Sequence, residues 1–281
     1  MSTHSRDAAP FGTYAPAGNL RRAIAATRAL GAGWFSRRAV MVVRRFVLGR
    51  LRGAPVDVEA LGVRMRLQPQ NNICEKRLLF SPRSFDPDEL AILSARLRDD
   101  AVFIDVGANV GIYSLFVASR TGRAARVLSI EPQPSIFERL VYNIRLNAFA
   151  TIKAVECAVA DRSGELTLFL DPRNSGESSV KVVNSGGARP IRIPARTLLD
   201  LVEEEGFTRV DAIKLDVEGA EDLVLEPYLR DAPTHLLPAL IVVEDGSRQW
   251  QIDLVSLLGR SGYRLLKRTR LNLVFEREGY R

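Results

Sequence analysis

The 281 residues include 46% apolar and 26% charged side chains, which is the balance of an ordinary globular chain with a sizeable core and excludes a disordered one. No apolar stretch reaches the ~18 residues of a membrane-spanning helix. With only two cysteines (Cys74, Cys157) and two histidines (His4, His235), a disulfide scaffold and a Cys-rich zinc site are excluded, and His-rich metal chemistry has little to build on. The net charge of +7 is unevenly placed: residues 1–66 hold twelve arginines against Asp7, Asp57 and Glu59, whereas the rest holds 28 basic and 30 acidic residues. A nucleic-acid-binding domain would show a basic face across its fold, so no nucleic-acid partner is expected. Arginine outnumbers lysine 35 to 5, a bias that points to a bacterial gene rich in G and C.

Residues 1–19 have no periodicity and read as a flexible tail. They show no signal-peptide pattern, and a cytoplasmic protein is expected. Residues 20–52 read as a basic amphipathic helical arm, broken near Gly31 and Gly33. Within it Arg37, Arg38, Arg44, Arg45 and Arg52 recur at sevenfold spacing and share one face, with Val40, Val43, Phe46, Val47 and Leu51 between them. Three readings stand open: an arm packed on the domain with a solvated arginine face, a helix lying at the inner, anionic surface of a membrane, or a nucleic-acid contact. Residues 53–100 lead into the main fold through a hairpin (55–67, turning at Gly62) and a helix (88–98) that starts near Asp86 or Pro87.

From Ala101 the pattern changes to short β-branched runs alternating with helical stretches, the signature of βαβ units and a parallel sheet. The runs are Val102–Val106, Val127–Ile130, Ile152–Val159, Ala212–Leu215 and Leu240–Val243. Helices are expected at about 111–120, 134–147, 197–205 and 219–229. An antiparallel insertion (Glu165–Leu170, Val180–Ile193) interrupts the alternation, and a helix at 249–261 with strands Tyr263–Leu266 and Asn272–Glu276 closes the chain.

The first strand runs into Asp105-Val-Gly107-Ala108-Asn109-Val-Gly111 and then a helix. A glycine turn between strand and helix lets a ligand approach the backbone, with free helix N–H groups facing it. Asn109 replaces the second glycine of a dinucleotide fingerprint and would crowd a pyrophosphate. Asp105 would repel phosphate and attract an ammonium, so the loop suits a zwitterion such as the methionyl end of S-adenosylmethionine. The second strand ends at Glu131-Pro132, about 20 residues on, where an acid accepts from ribose hydroxyls.

A second cluster, Lys214-Leu-Asp216-Val-Glu218-Gly219, ends the fourth run, and alternation puts Lys214, Asp216 and Glu218 on one side. Glu244-Asp245 ends the fifth and is expected to face the same cleft. These carboxylates suit a general base or the orientation of a hydroxyl, and a divalent cation held by three of them is an open alternative. Lys214 paired with an acid and Glu218 capping the next helix is the structural alternative. His235 falls at the opposite, amino end of the fifth strand, and Cys157 reads as an inert buried thiol. The polar run Asn174–Ser179 suits either a substrate lid or a hairpin turn.

These motifs resemble the FkbM family of S-adenosylmethionine-dependent methyltransferases. The resemblance runs over about 101–276 and rests on FIDVGANVGIYSL (103–115), VLSIEPQPSIFERLVYNIRLN (127–147), AVADRSGELTLF (158–169), NSGESSV (174–180), IPARTLLDLV (193–202), IKLDVEGAEDLVL (213–225) and IVVED (241–245). It implies that residues 101–281 form a class I methyltransferase domain, an α/β Rossmann-like, mostly parallel seven-stranded sheet with the last strand antiparallel. It also implies methyl transfer, usually to a hydroxyl of a sugar, glycolipid, polysaccharide or secondary metabolite. The cofactor set that follows is Asp105, Gly107, Ala108, Asn109, Gly111, Glu131, Pro132 and Ala158, and the acidic active-site set is Lys214, Asp216, Glu218 and Glu244. Family members often read E-x-H after the fifth strand, where this chain has Glu244-Asp245-Gly246. A nicotinamide-dependent oxidoreductase and a non-catalytic binding module that keeps the fold are the rival readings.

Overall fold

The computed structural model describes residues 9–30, 34–149, 151–170, 178–179 and 189–279. Its centre is a run of short apolar strands flanked by helices. Strand β3 (Val102–Val106) is buried at all five positions, as a parallel strand covered on both faces must be. Helix α5 (Ile112–Arg120) follows it, then β4 (Arg126–Ile130), α6 (Pro134–Arg145) and β5 (Ile152–Val155). The second half adds α7 (Leu198–Glu204), β10 (Ala212–Leu215), α8 (Glu221–Asp231), β11 (Leu240–Glu244), α9 (Leu254–Arg260), β12 (Tyr263–Arg268) and β13 (Asn272–Arg277).

The seven strands stand in the order β12-β13-β11-β10-β3-β4-β5. Strands β10, β11, β3, β4 and β5 pair in parallel, while β13 inserts antiparallel between β11 and β12. This is the expected Rossmann-like sheet with its last strand reversed. From β3 the chain winds one way to β4 and β5, and from β10 the other way to β11. The carboxyl ends of β3 and β10 therefore border the crevice where such sheets bind ligands.

The expected strand 152–159 divides. Glu131 donates its N–H to the Val155 carbonyl at the last register position, and the chain then leaves the main sheet at Glu156-Cys157. Strand β6 (Ala158–Val159) joins a second sheet with β7 (Gly164–Leu170), β8 (Ser178–Ser179) and β9 (Arg189–Arg196), in the order β6-β9-β7-β8. The antiparallel insertion is seen in the pairing of Leu166 with Ile193. The expected lid or turn at 174–179 lies outside the described residues apart from Ser178 and Ser179. The closing helix is shorter than expected: it starts at Leu254, because the Asp253 side chain caps it through the Ser256 N–H at 3.0 Å.

Ahead of the sheet come α1 (Gly18–Ala29), α2 (Trp34–Leu51), the hairpin β1 (Val56–Ala60)–β2 (Val63–Leu67), α3 (Ile73–Phe80) and α4 (Pro87–Arg96). Helix α3 is an addition to the sequence reading. Asn72 caps it by accepting from the Glu75 N–H at 3.0 Å. Ile24 of α1 and Val47 of α2 join one continuous core with the hairpin, α3, α4, α5 and one face of the sheet. Arg28 secures the arm by donating to the carbonyls of Leu79 (2.8 Å) and Glu59 (3.1 Å).

Residues 9–17 depart from the flexible tail expected of them. The Gly12 and Tyr14 N–H groups donate to Asp57 (2.8 and 3.1 Å), and Tyr142 donates to the Ala9 carbonyl at 2.9 Å. Asp57 in turn holds the buried Arg66 at 2.7 Å, whose guanidinium lies 4.7 Å from the Tyr14 ring centre and 4.6 Å from that of Tyr142. A buried ion pair must have its remaining polar atoms satisfied, and this segment supplies those partners.

Candidate active site

The crevice at the ends of β3 and β10 is a cavity. Gly107, Ala108 and Asn109 line it from the β3 loop, and Glu131 and Pro132 from the β4 end. Ala158 lines it from β6, Lys214, Asp216 and Glu218 from the β10 end, and Glu244 from β11.

The β3 loop needs two left-handed backbones, Gly107 (φ 74°) and Asn109 (φ 51°). The Asn109 N–H donates to Glu131 Oε2 at 2.9 Å, and the Gln133 N–H donates to Oε1 at 3.0 Å. Both oxygens of Glu131 are thereby aimed. Burial pushes its pKa up to about 7, against the opposing pull of the Gln133 and Asn109 N–H groups. Asn109 also accepts from the Asn72 amide at 2.9 Å, which ties the loop to α3.

Two members of the expected cofactor set do not reach the cavity. Asp105 is fully buried behind the loop, where Oδ2 accepts from the Ser114 N–H (3.0 Å) and hydroxyl (2.6 Å). Its charge faces Lys214 Nζ at 4.0 Å rather than a ligand ammonium. Asp105 Oδ1 has no hydrogen-bond partner among the described residues, and burial raises the pKa of the group although Lys214 and Ser114 oppose the rise. Gly111 caps α5 at φ 91°, and a β-carbon there would meet Leu140 Cδ1 at 2.7 Å, so it serves packing.

The acidic set converges only in part. Lys214 donates to Asp216 Oδ2 at 2.9 Å and to the Gly107 carbonyl at 3.4 Å. Burial disfavours its charge, but Asp216 and Asp105 outweigh that and hold the ammonium well above its ordinary pKa. Burial likewise pushes Asp216 up, yet Lys214 prevails and the carboxylate titrates below its usual range. Glu244 is hydrogen-bonded to Asp216 and moves the other way: burial first, then the Asp216 and Glu218 charges, push it up to about 9. The shared hydrogen bond thus drives the two carboxyls apart in acidity, Asp216 down and Glu244 up. The Asp216 side chain is 33% exposed, open to the cavity.

Asp245 does not face the cleft as expected, because Arg268 pairs with it at 2.8 Å away from the cavity lining. Glu218 lines the cavity at φ 57°; α8 begins at Glu221 after Ala220, which makes no side-chain cap, and Glu221 instead braces the preceding turn by accepting from the Val217 and Gly219 N–H groups. Among the described residues no group of three or more His, Cys, Asp or Glu could hold a metal ion, so the cation alternative lacks a ligand set there. His235 lies in a short 3-10 turn before β11, outside the cavity lining.

The family model for the FkbM methyltransferase domain matches residues 105–281. The chain belongs to the FkbM methyltransferase family. "Methyltransferase sdnD" of Sordaria araneosa is 30% identical over 161 residues, covering 47% of this chain and 62% of that protein. "Methyltransferase 1" of Beauveria bassiana is 26% identical over 149 residues, covering 47% and 59%. The chain thus spans about three-fifths of the length of these relatives. Among solved structures, the human methyltransferase 10 domain containing protein superposes with a TM-score of 0.47 at 14% identity, over 90% of this chain and 100% of that one.

The FkbM motifs do not reach several residues that complete the cavity. Asn72, Cys74 and Arg77 of the α3 region line it, as does Asp86, beside Tyr113 of the first motif. Arg77 pairs with Asp86 at 2.6 Å, Tyr113 donates to Asp86 at 3.0 Å, and Lys214 Nζ lies 5.3 Å from the Tyr113 ring centre. The signal that could have found α3 is Asn72-Ile-Cys-Glu75, a cap residue followed three positions later by an acid. Cys157, expected to be inert, is buried but lines the cavity too, and burial pushes its thiol up to about 11. In place of the histidine that FkbM members often carry, Gly246 packs under the Trp250–Glu221 hydrogen bond (2.7 Å). A β-carbon there would meet Glu221 Oε2 and Trp250 Nε1, each at 2.7 Å.

Proposed function

We propose that this FkbM methyltransferase uses S-adenosylmethionine to methylate a hydroxyl oxygen of a small-molecule or glycan acceptor. The observation that carries this reading is geometric: the Asp216–Glu244 carboxyl pair, held by Lys214 at 2.9 Å, lines the same cavity as a Glu131 whose two oxygens are aimed by main-chain N–H groups.

The residues present fit that cofactor. Glu131 keeps acceptor capacity toward the cavity for ribose hydroxyls, and Pro132 and Ala158 give an apolar wall for a base. Glu218 puts a carboxylate into the cavity lining for a cationic amino-acid end. S-adenosylmethionine, when bound, supplies a methyl already activated on a sulfonium. What remains for the chain is to position the acceptor oxygen and take its proton. Asp216 is the charged acceptor for that proton, Lys214 holds its carboxylate in place at 2.9 Å, and Glu244 orients it through the shared hydrogen bond. Asp105 acts one step back, fixing the start of α5 through Ser114.

Calorimetric titration with S-adenosylmethionine, S-adenosylhomocysteine and NADH tests the cofactor. Micromolar binding of the two sulfur ligands without NADH binding is the expected result. Folded protein that binds neither, or that prefers NADH, overturns the reading in favour of the binding module or the oxidoreductase.

A further inference from the structure

The arm packs on the domain, yet its outward face is not the plain arginine face that a solvated helix would show. Among the described side chains of α2 the exposed positions are Arg38, Met41, Val42, Arg45, Phe46, Gly49 and Arg50, spaced three and four apart along one side of the helix. Met41 (66% exposed), Val42 (72%) and Phe46 (45%) form the centre of that side. The inward side is already supplied, with Val47 fully buried and Val40, Val43, Leu48 and Leu51 packed against the core. The outward apolar trio is therefore surplus to the fold, and leaving three large apolar groups side by side in water is unfavourable. Of the arginines that sequence spacing put on one face, Arg38, Arg45 and Arg52 do point outward, whereas Arg44 is half-buried toward Lys76 of α3. The Arg37 side chain lies outside the described residues.

Charge decides what would cover the trio. Residues 8–56 contain nine arginines and no acidic residue. Arg50 folds over the Phe46 ring at 5.2 Å, and Arg21 and Arg22 of α1 are exposed on the same arm. Nucleic acid would use the arginines but leave Met41, Val42 and Phe46 without a role. A second copy of this chain would set one arginine-bearing face against another, with no acidic residue of the arm between them. A surface with anionic headgroups above an apolar layer satisfies both sets, as for an amphipathic helix lying in a membrane interface. No described helix is long and apolar enough to cross a membrane, so the contact is peripheral.

We infer that the outward face of α2 is a docking surface for an anionic lipid bilayer, with Met41, Val42 and Phe46 entering the headgroup boundary and the flanking arginines meeting lipid phosphates. The arm rests on α3 through Arg28 and the Leu79 carbonyl, and α3 lines the catalytic cavity through Cys74 and Arg77. At the start of the same helix, Ile73 lines the cavity while remaining 49% exposed. Docking by α2 would hold this side of the cavity close to the bilayer. The inference stands on the arm alone and does not depend on which acceptor is methylated.

The test is sedimentation of the full chain with vesicles of phosphatidylcholine alone or mixed with phosphatidylglycerol. Binding to the mixed vesicles only, weakened by salt, is expected. The triple variant Arg38→Ala, Arg45→Ala, Arg50→Ala should reduce the partition coefficient by about two orders of magnitude, on the order of fivefold per arginine. The triple variant Met41→Ser, Val42→Ser, Phe46→Ser should reduce it at least tenfold. Both should bind S-adenosylhomocysteine as the parent does, which separates loss of docking from loss of fold. Failure of the folded parent to bind the mixed vesicles overturns the inference. So does vesicle binding unchanged in the serine variant, or a concentration-dependent dimer or RNA complex that this variant abolishes while vesicle binding stays absent.

Discussion

The α-carbon of Gly107 lies against the main chain of Asp216: a β-carbon built on it would stand 1.9 Å from the Asp216 carbonyl oxygen. The loops that end β3 and β10 are thus packed backbone to backbone, so a shift of the proposed cofactor loop would press on the main chain of the proposed base. Gly107→Ala introduces that clash at a left-handed backbone position. It is expected to weaken binding of S-adenosylhomocysteine at least tenfold and to cost on the order of 2 kcal/mol or more of stability. Calorimetry and denaturant unfolding measure the two effects. A variant with parental affinity and stability would show the two loops to be independent.

The carboxyl pair gives a pH signature. Lys214 holds Asp216 below the usual carboxylate range, while burial and the Asp216 charge push Glu244 up to about 9. Asp216→Asn should retain cofactor binding and lower kcat by about 10²–10⁴, the usual weight of a general base. Glu244→Gln presents an amide donor where the protonated carboxyl stood, so its kcat should stay within about tenfold of the parent. In the parent, kcat should fall as pH rises through about 9, when Glu244 loses the proton through which it orients Asp216. The Gln variant should lack that alkaline limb. A limb of the same midpoint in both proteins would assign it to another group.

Most of this site could be read from the chain because glycine turns and strand-end acids have local causes. Asp105-x-Gly107-x-Asn109 and Lys214-x-Asp216 lie next to the strands that place them, so alternation and turn chemistry suffice. What escaped depends on contacts between distant segments. Asp105 is beside the loop in sequence, but Ser114, one helical turn into α5, draws its carboxylate under the loop. Asp245 follows Glu244 directly, yet Arg268 from the neighbouring hairpin claims it. Residues 9–17 look like a tail until Asp57 and Arg66 are seen to need their hydrogen bonds. The pairing of strands into one reversed hairpin within a parallel sheet followed from the family resemblance, not from periodicity.

On the proposed reading, Glu131 couples cofactor binding to protons. Its ligand-free pKa is raised from 4.5 to about 7 by burial. Ribose hydroxyls donate to the ionised form and favour it, so binding should lower that pKa and release a proton. Affinity for S-adenosylhomocysteine should therefore rise with pH through about 7 and level off above it. Titration at pH 6 in buffers of different ionisation heat should show close to one proton released. In the ligand-free protein the folded state holds this proton more tightly than the unfolded state, so stability should decline as pH rises from 4.5 through about 7. Glu131→Gln should flatten both dependences while weakening binding about tenfold or more, the cost of losing a charge-assisted hydrogen bond. Affinity of the parent independent of pH would remove Glu131 from the ribose site.

Helix α3 is held against the domain by an ion pair outside both the glycine loop and the strand-end acids. Glu75 accepts two 2.6 Å contacts from Arg139 Nη2 of α6, and its Oε2 also accepts from the Gln68 N–H. The Glu75 side chain is fully buried and that of Arg139 is 8% exposed. Removing one partner strands the other charge away from water, which costs about 3–5 kcal/mol, whereas removing both with apolar groups of similar shape is close to neutral. Arg139→Ala should therefore lower stability by about that amount. It should also weaken ligand binding, because Asn72, next to α3, carries the contact to Asn109. Glu75→Leu combined with Arg139→Met should recover most of the stability, but less of the affinity, since the Gln68 N–H then loses its acceptor. A double variant no more stable than Arg139→Ala, by denaturant unfolding, would show that the pair itself, and not the stranded charge, sets the cost.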